Sequence, residues 1–241
     1  MARTRKRIVR WINHYNNRQK ILLVGEGDFS FSSCLANAFG SATNMVATCL
    51  HSKDVQKTKH RTSIAHLELL KRKGCTVLHE VDVHDMNHHQ TLYYMKFDVI
   101  IFNFPHAGHY NYLRETDDEL IEMHKALLEG FFKSARELLN EKGEVHVTHR
   151  DDFPYKRWNL EKLARKSGFI LKQKVEFKKV DFPGYHNKRG GEINCNKKFP
   201  LNECFTFKFS LPEKSAEIYD CVSDTQINKL AAGFQGFHLN N

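Results

Sequence analysis

The 241-residue chain has no apolar run longer than four residues, "ILLV" at 21–24 and "VIIF" at 99–102, and spanning a bilayer takes roughly 20. A protein in solution, with no membrane partner, is expected. Cysteine is sparse: Cys34, Cys49, Cys75, Cys195, Cys204 and Cys221 form no C-x-x-C pair, and no apolar signal segment precedes them. Free thiols in a reducing compartment are expected, and no metal is assigned. Acid is missing from the start, where Arg3, Arg5, Lys6, Arg7 and Arg10 all come before Glu26. A block such as "RTRKR" reads as a nuclear address, as a phosphate-binding arm, or as a solvated charged end. An organellar transit peptide is disfavoured, because no serine precedes Ser30. Over the whole chain 37 Lys and Arg against 28 Asp and Glu give +9. That balance favours a polyanionic partner and says nothing about fold.

What is present is an alternation of strand and helix patterns. "KILLV" (20–24) reads as a buried strand, followed by a helix over 30–39 that Gly40 stops. "NMVATCL" (44–50) reads as a second strand. One helix is expected from an N-cap at Ser52 to about Lys73, with Ile64, Leu67 and Leu70 on its apolar side and Gly74 at its end. "CTVLHEV" (75–81) and "FDVIIFNF" (97–104) supply strands three and four, the latter apolar enough to be covered on both faces. The stripe Leu120, Ile121, His124, Leu128, Phe131 and Leu138 marks the clearest helix, with Asp117, Asp118 and Glu119 at its favourable end. "GEVHVTH" (143–149) is a fifth strand, and Asn159 caps a helix to Ser167. Strands near 169–180 and 203–210 follow with no crossover helix between them, so they pair antiparallel. The expected fold is α/β: a seven-stranded sheet, mostly parallel, with an antiparallel edge hairpin and helices on both faces. Residues 212–241 carry little pattern and read as a short helix or tail.

A strand running into Gly25-Glu26-Gly27-Asp28-Phe29-Ser30 lets the backbone close on a nucleotide-like ligand at the switch point of such a sheet. The third glycine of the dinucleotide fingerprint is absent, since Ser30 stands there, and a tight turn without a ligand also fits. Asp82, after strand three, is a candidate to bond an adenine amino group, with Val83 supplying a backbone donor; the alternative is an ordinary loop or N-cap aspartate. The end of strand four, "NFPHAG", is where chemistry is expected. Asn103 offers an acceptor and a donor, Phe104 an aromatic face, and Pro105 stiffens the loop. Asn-aromatic-Pro resembles the loop with which amino methyltransferases grip a planar nitrogen. His106 is a candidate general base or, alternatively, a loop histidine bonded to backbone. His146 and His149, with Thr148 between them, are placed on one face of strand five, His149 as a second candidate base and His146 as structural.

In this order "LLVGEGDFSFS", "FDVIIFNFPHAG", "GEVHVTH" and "FPGYHNKRGG" closely resemble the Rossmann-like methyltransferases that use S-adenosylmethionine to methylate N3 of a uridine in large-subunit (25S/28S) ribosomal RNA. The resemblance covers roughly residues 12–210 and is strongest to the plant branch, whose chains begin with a segment like Trp11 to Tyr15 here. It implies the class I methyltransferase fold over 20–211, after a basic arm (1–19) and before a tail (212–241). It implies a cofactor held by Gly25 to Ser30, with Asp82 and Val83 at the adenine and Asn103 to His106 meeting methyl donor and uracil. It also implies work on pre-ribosomal RNA in the nucleus and nucleolus, with the cytoplasm as the alternative address. A monomer is expected. One residue departs from the pattern: His51 stands where the family carries an acid for the ribose hydroxyls, and Asp54 is the nearest carboxylate.

The long loop 182–199 carries Lys188, Arg189, Lys197 and Lys198 among Phe182, Tyr185 and Phe199. Together with Arg5, Lys6 and Arg7, these cations and Tyr185 are expected to meet phosphates and unstacked bases of RNA. The alternative is a hairpin loop whose aromatics pack back on the sheet. Two rival functions stand beside methyl transfer: an RNA-binding relative that no longer holds the cofactor, motivated by His51, and a nicotinamide-dependent oxidoreductase, suggested only by Gly-x-Gly.

Overall fold

The structure is a computed structural model that describes residues 8–189 and 193–213. Arg5, Lys6, Arg7 and nearly all of the tail lie outside the described residues. Trp11–Ile12 (β1) and Tyr15–Asn16 (β2) form a short antiparallel ladder. Tyr15 is buried against Phe31 and Phe182, with its hydroxyl 3.2 Å from His146 Nδ1. Residues placed in the basic arm thus reach the core.

The chain continues through β3 (Ile21–Val24), α1 (Ser30–Phe39), β4 (Met45–Thr48), α2 (Lys53–Lys59), α3 (Ser63–Arg72), β5 (Thr76–Leu78), β6 (Phe97–Asn103), α4 (Asp118–Leu138), β7 (Leu139–Arg150), α5 (Leu160–Lys166), β8 (Ile170–Glu176) and β9 (Cys204–Ser210). The seven-stranded sheet has the order β5-β4-β3-β6-β7-β9-β8. All pairings from β5 to β7 are parallel, and β9 runs antiparallel between β7 and β8. This is the class I methyltransferase fold: a doubly wound sheet whose last strand is inserted in reverse before the edge. No helix of the described residues is long and apolar enough to cross a membrane.

Strand alternation builds two cores. Leu22, Val24, Ile100 and Phe102 face α4 through Leu128, Phe131 and Phe132. Ile21, Leu23, Val99 and Ile101 face α1 through Phe31, Leu35 and Phe39. Burial on both sides explains why β3 and β6 read as continuous apolar runs.

Two expectations need correction. The helix expected from Ser52 to Lys73 is two helices. Ser52 does cap α2, accepting from Val55 N, but α2 stops at His60, which is not helical, and α3 begins after Thr62. Tertiary partners hold the break open: Thr62 Oγ1 donates to Asp28 at 3.1 Å, and His60 Nδ1 lies 3.2 Å from Asn196 Oδ1. His146 and His149 do not share a face, since residues three apart on a strand point to opposite sides. His146 meets Tyr15, whereas His149 lies against Trp158.

Candidate active site

The chain winds from β3 outward to β5 and then crosses back to β6, so the loops after β3 and β6 diverge. A crevice at such a switch point is where this class of sheet binds ligands. Here it is a cavity of about 530 Å³, within the usual range for small-molecule sites.

The glycine turn forms one wall. Gly25 has φ +65°, and a Cβ there would lie 2.6 Å from the Phe102 ring, so the protein itself forbids a side chain. Gly27 is different: a Cβ would meet nothing within 4 Å and would project into open space beside the cavity. Gln56, buried on α2, donates to the Gly27 carbonyl and pins the turn from outside. Glu26 folds back onto α1, accepting from Ser32 N at 3.1 Å and Ser32 Oγ at 2.7 Å. Burial raises its pKa to about 7 despite these bonds. Asp28 accepts from Ser30 N at 3.1 Å and is paired with Lys188 Nζ at 2.9 Å. Burial opposes its ionisation, but the bonds from Ser30 and Lys188 prevail and hold its pKa near 2. Phe29, which opens α1, has φ 60°, a strained conformation for a bulky residue.

The ends of β4 and β5 form the second wall. His51 lines the cavity, its Nε2 3.3 Å from Lys59 Nζ. Asp54 is exposed on the first turn of α2 and does not line the cavity. Leu50, 60% exposed, lies beside His51 and offers an apolar surface. Asp82 and Val83 also line the cavity. Asp82 accepts from His84 N at 2.9 Å and is 2.6 Å from His84 Nδ1. Partial burial opposes its ionisation, but the bonds from His84 outweigh it and lower the pKa.

The loop after β6 closes the third side. Both amide atoms of Asn103 are buried, and neither has a hydrogen-bond partner among the described residues. Leaving a buried donor and acceptor unmet costs roughly 1–3 kcal/mol per group, and this amide borders the cavity. Phe104 turns out of the strand at φ 50°, with its N–H donating to Thr148 O at 2.7 Å. Strain of order 1–3 kcal/mol at such a residue clusters at functional sites.

His106 is saturated. Its Nδ1 accepts from Gly108 N at 3.1 Å, which puts the proton on Nε2, 2.9 Å from Glu115 Oε1. His124 repeats the pattern: Nδ1 accepts from Ala107 N at 3.0 Å, and Nε2 faces Glu115 Oε2 at 3.6 Å. Burial disfavours charge on Glu115, yet the bond from His106 and the nearby His124 ring hold its pKa well below the carboxylate range. His106 has no free lone pair, so the general-base expectation for it is corrected: it clamps the loop. His106, His109 and Glu115 have the spacing of metal ligands, as do Asp28, His66 and His186. In the first group His106 turns an N–H toward the carboxylate, and in the second the Lys188 ammonium already sits on the carboxylate.

His149 is not in this cavity. It lines a second one, of about 100 Å³, across the Phe104 loop, together with Pro105, Tyr155, Trp158 and Arg189. His149 Nε2 lies 3.3 Å from Tyr155 O, and burial lowers its pKa to about 4.

The long loop folds over the glycine turn. Tyr185 is buried, packed on Phe31 and Phe177. Lys188 is spent on Asp28 and Thr62, its side chain only 12% exposed, and His186 N donates to Ser30 Oγ at 2.9 Å. Tyr185 and Lys188 are therefore corrected from RNA contacts to struts of the glycine turn: Tyr185 packs inward, and the Lys188 ammonium is taken up by Asp28 and Thr62, so each keeps only the edge that lines the cavity. Lys197 and Lys198 are exposed. Sequence reasoning missed Glu115 and Trp158 altogether. The one signal for this cluster was a polar His124 inside an otherwise apolar stripe on α4.

A family model described as "rRNA (uridine-N3-)-methyltransferase BTM5-like" (BMT5-like) matches residues 22–189. The chain belongs to this BMT5-like family. Family and fold are those of an S-adenosylmethionine-dependent methyltransferase. Among relatives, the chain is 47% identical over 209 residues to "Heavy metal-associated isoprenylated plant protein 41" of Arabidopsis thaliana, covering 87% of this chain and 40% of that one. It is 46% identical over 202 residues to an uncharacterized protein of the same plant, covering 83% and 97%. It is 23% identical over 228 residues to the "25S rRNA (uridine(2634)-N(3))-methyltransferase" of Saccharomyces cerevisiae, covering 73% and 67%. Among solved structures, an S-adenosylmethionine-dependent methyltransferase from Clostridium acetobutylicum gives a TM-score of 0.47 at 13% identity over 79% of this chain and 83% of that one. Likeness at that level adds nothing to the fold, which the strand order defines by itself.

Proposed function

We propose that this BMT5-like chain transfers the methyl group of S-adenosylmethionine to N3 of a uridine in large-subunit (25S) ribosomal RNA, working on pre-ribosomal particles in the nucleolus. The observation that carries the reading is the buried, unpartnered Asn103 amide beside a glycine turn that leaves room at Gly27. The residues fit the cofactor: Gly25 to Ser30 along its methionine and ribose side, Asp82 and Val83 at the adenine, and His51 at the ribose. When bound, S-adenosylmethionine supplies an electrophilic methyl group on a sulfonium.

The remaining work belongs to the chain. Asn103 faces the large cavity, where its unpartnered donor and acceptor orient the methyl donor toward the base on the other side of Phe104. Phe104 presents a ring to the flipped base. His149 takes the N3 proton at Nδ1, which makes no hydrogen bond to a described residue. Holding N3 in line with the methyl group supplies most of the acceleration. Arg189, Lys197 and Lys198 meet RNA.

His51 supports a second reading. A neutral imidazole accepts one bond where a carboxylate accepts two, and weak cofactor binding would leave an RNA-binding module of ribosome biogenesis. Incubating the full chain with labelled S-adenosylmethionine and large-subunit rRNA, then digesting to nucleosides, separates the two. Labelled 3-methyluridine supports the enzyme; bound but unmethylated RNA supports the module.

A further inference from the structure

The smaller cavity shares Phe104, His106, Lys188 and Phe199 with the large one as a common wall. Its sides are flat. Phe104 and Phe199 meet edge to face at 5.0 Å, and His149 lies 4.5 Å from Trp158. Two guanidiniums border it, and they differ. Arg150 is closed by both carboxylate oxygens of Asp152 and lies 4.2 Å above the Tyr155 ring. Arg189 has a buried Nε without a partner, and its guanidinium makes no ion pair among the described residues.

We propose that this cavity seats the target base and that Arg189 selects uracil there. The proposal rests on the rRNA-uridine reading and extends it to a specificity-determining residue. A guanidinium only donates. The uracil edge presents carbonyl oxygens on both sides of N3, whereas cytosine and adenine place an amino donor where uracil has O4. An unpaired donor-only fork therefore accepts uracil and opposes cytosine and adenine. Guanine has an acceptor at that place too, so the fork discriminates against cytosine and adenine. Aromatic walls hold a flipped ring by stacking without reading it. The positive charge also favours the deprotonated imide whose N3 lone pair must attack.

The test uses the full chain and short, labelled single-stranded oligonucleotides of uridine or of cytidine, followed by fluorescence anisotropy. The natural chain is expected to prefer uridine by about tenfold. Arg189→Ala should bring the ratio to about one by weakening uridine alone, and Arg189→Lys should fall between, since it keeps the charge and loses the fork. Lys197→Ala should weaken both equally, because phosphate contacts carry no sequence information. All variants should bind S-adenosylmethionine like the natural chain, which checks folding. A natural chain without preference, or a preference that survives Arg189→Ala, overturns the proposal. The nucleoside assay keeps the two readings apart. 3-Methyluridine formed with the preference intact in Arg189→Ala sinks the pocket and leaves the enzyme. A preference lost in Arg189→Ala with no 3-methyluridine formed sinks the enzyme and leaves the pocket.

Discussion

Asn103, the last residue of β6, and His106, in the loop that follows, lie three residues apart and are opposites in hydrogen bonding. Asn103 has a buried donor and a buried acceptor with no partner, and His106 has a partner on each ring nitrogen. By residue type the histidine looks reactive and the asparagine ordinary. Partner counting reverses that: the unmet bonding capacity is at Asn103, and His106 with Glu115 and His124 holds the loop that presents it.

The largest expected effect tests this contrast. Asn103→Ala should lower methyl transfer by about 10²–10³-fold with little change in melting temperature. His106→Ala should lower it by only about 10- to 100-fold, through misplacement, and leave the shape of the pH–rate profile unchanged. A lost ionisation limb in His106→Ala would make it the base after all.

A second test concerns the buried, neutral His149. Burial holds its pKa near 4 in the folded chain, against an ordinary histidine value of 6.5, so the unfolded chain binds more protons between those limits. Stability therefore falls as pH drops from 6.5 toward 4, by up to about 3 kcal/mol from this residue. His14, lowered by burial to about 3, adds in the same direction. Urea melts of His149→Phe should show a flatter acid limb than the natural chain.

The glycine turn repeats the contrast between internal and ligand-directed constraint. Gly25→Ala should cost about 2 kcal/mol of stability, from the Phe102 clash and the positive φ. Gly27→Ala should leave the melting temperature unchanged and weaken S-adenosylmethionine binding, as calorimetry would show. The smallest effect is on the surface: Lys197→Ala and Lys198→Ala should each reduce the slope of log affinity for RNA against log salt by about one.

What was legible in the sequence follows the same division. β3, β6 and the glycine turn were readable because burial on both faces and left-handed backbone leave compositional marks. The break between α2 and α3 was not, because Thr62 and His60 are held by Asp28 and Asn196, far away in sequence. The β1–β2 ladder is too short to show a period. Tyr185 and Lys188 were misassigned because a basic, aromatic loop has the same composition whether it faces RNA or folds inward. Asn103 was readable from its motif, but that its amide lacks partners shows only in three dimensions.

On the proposed function this cavity holds S-adenosylmethionine although His51 stands where the resemblance implies a ribose acid. Calorimetric titration of the natural chain with S-adenosylmethionine, beside His51→Asp, tests it directly. One site is expected in the natural chain, tightened by the aspartate. No binding until aspartate is restored would contradict it and leave the fold as an RNA-binding scaffold.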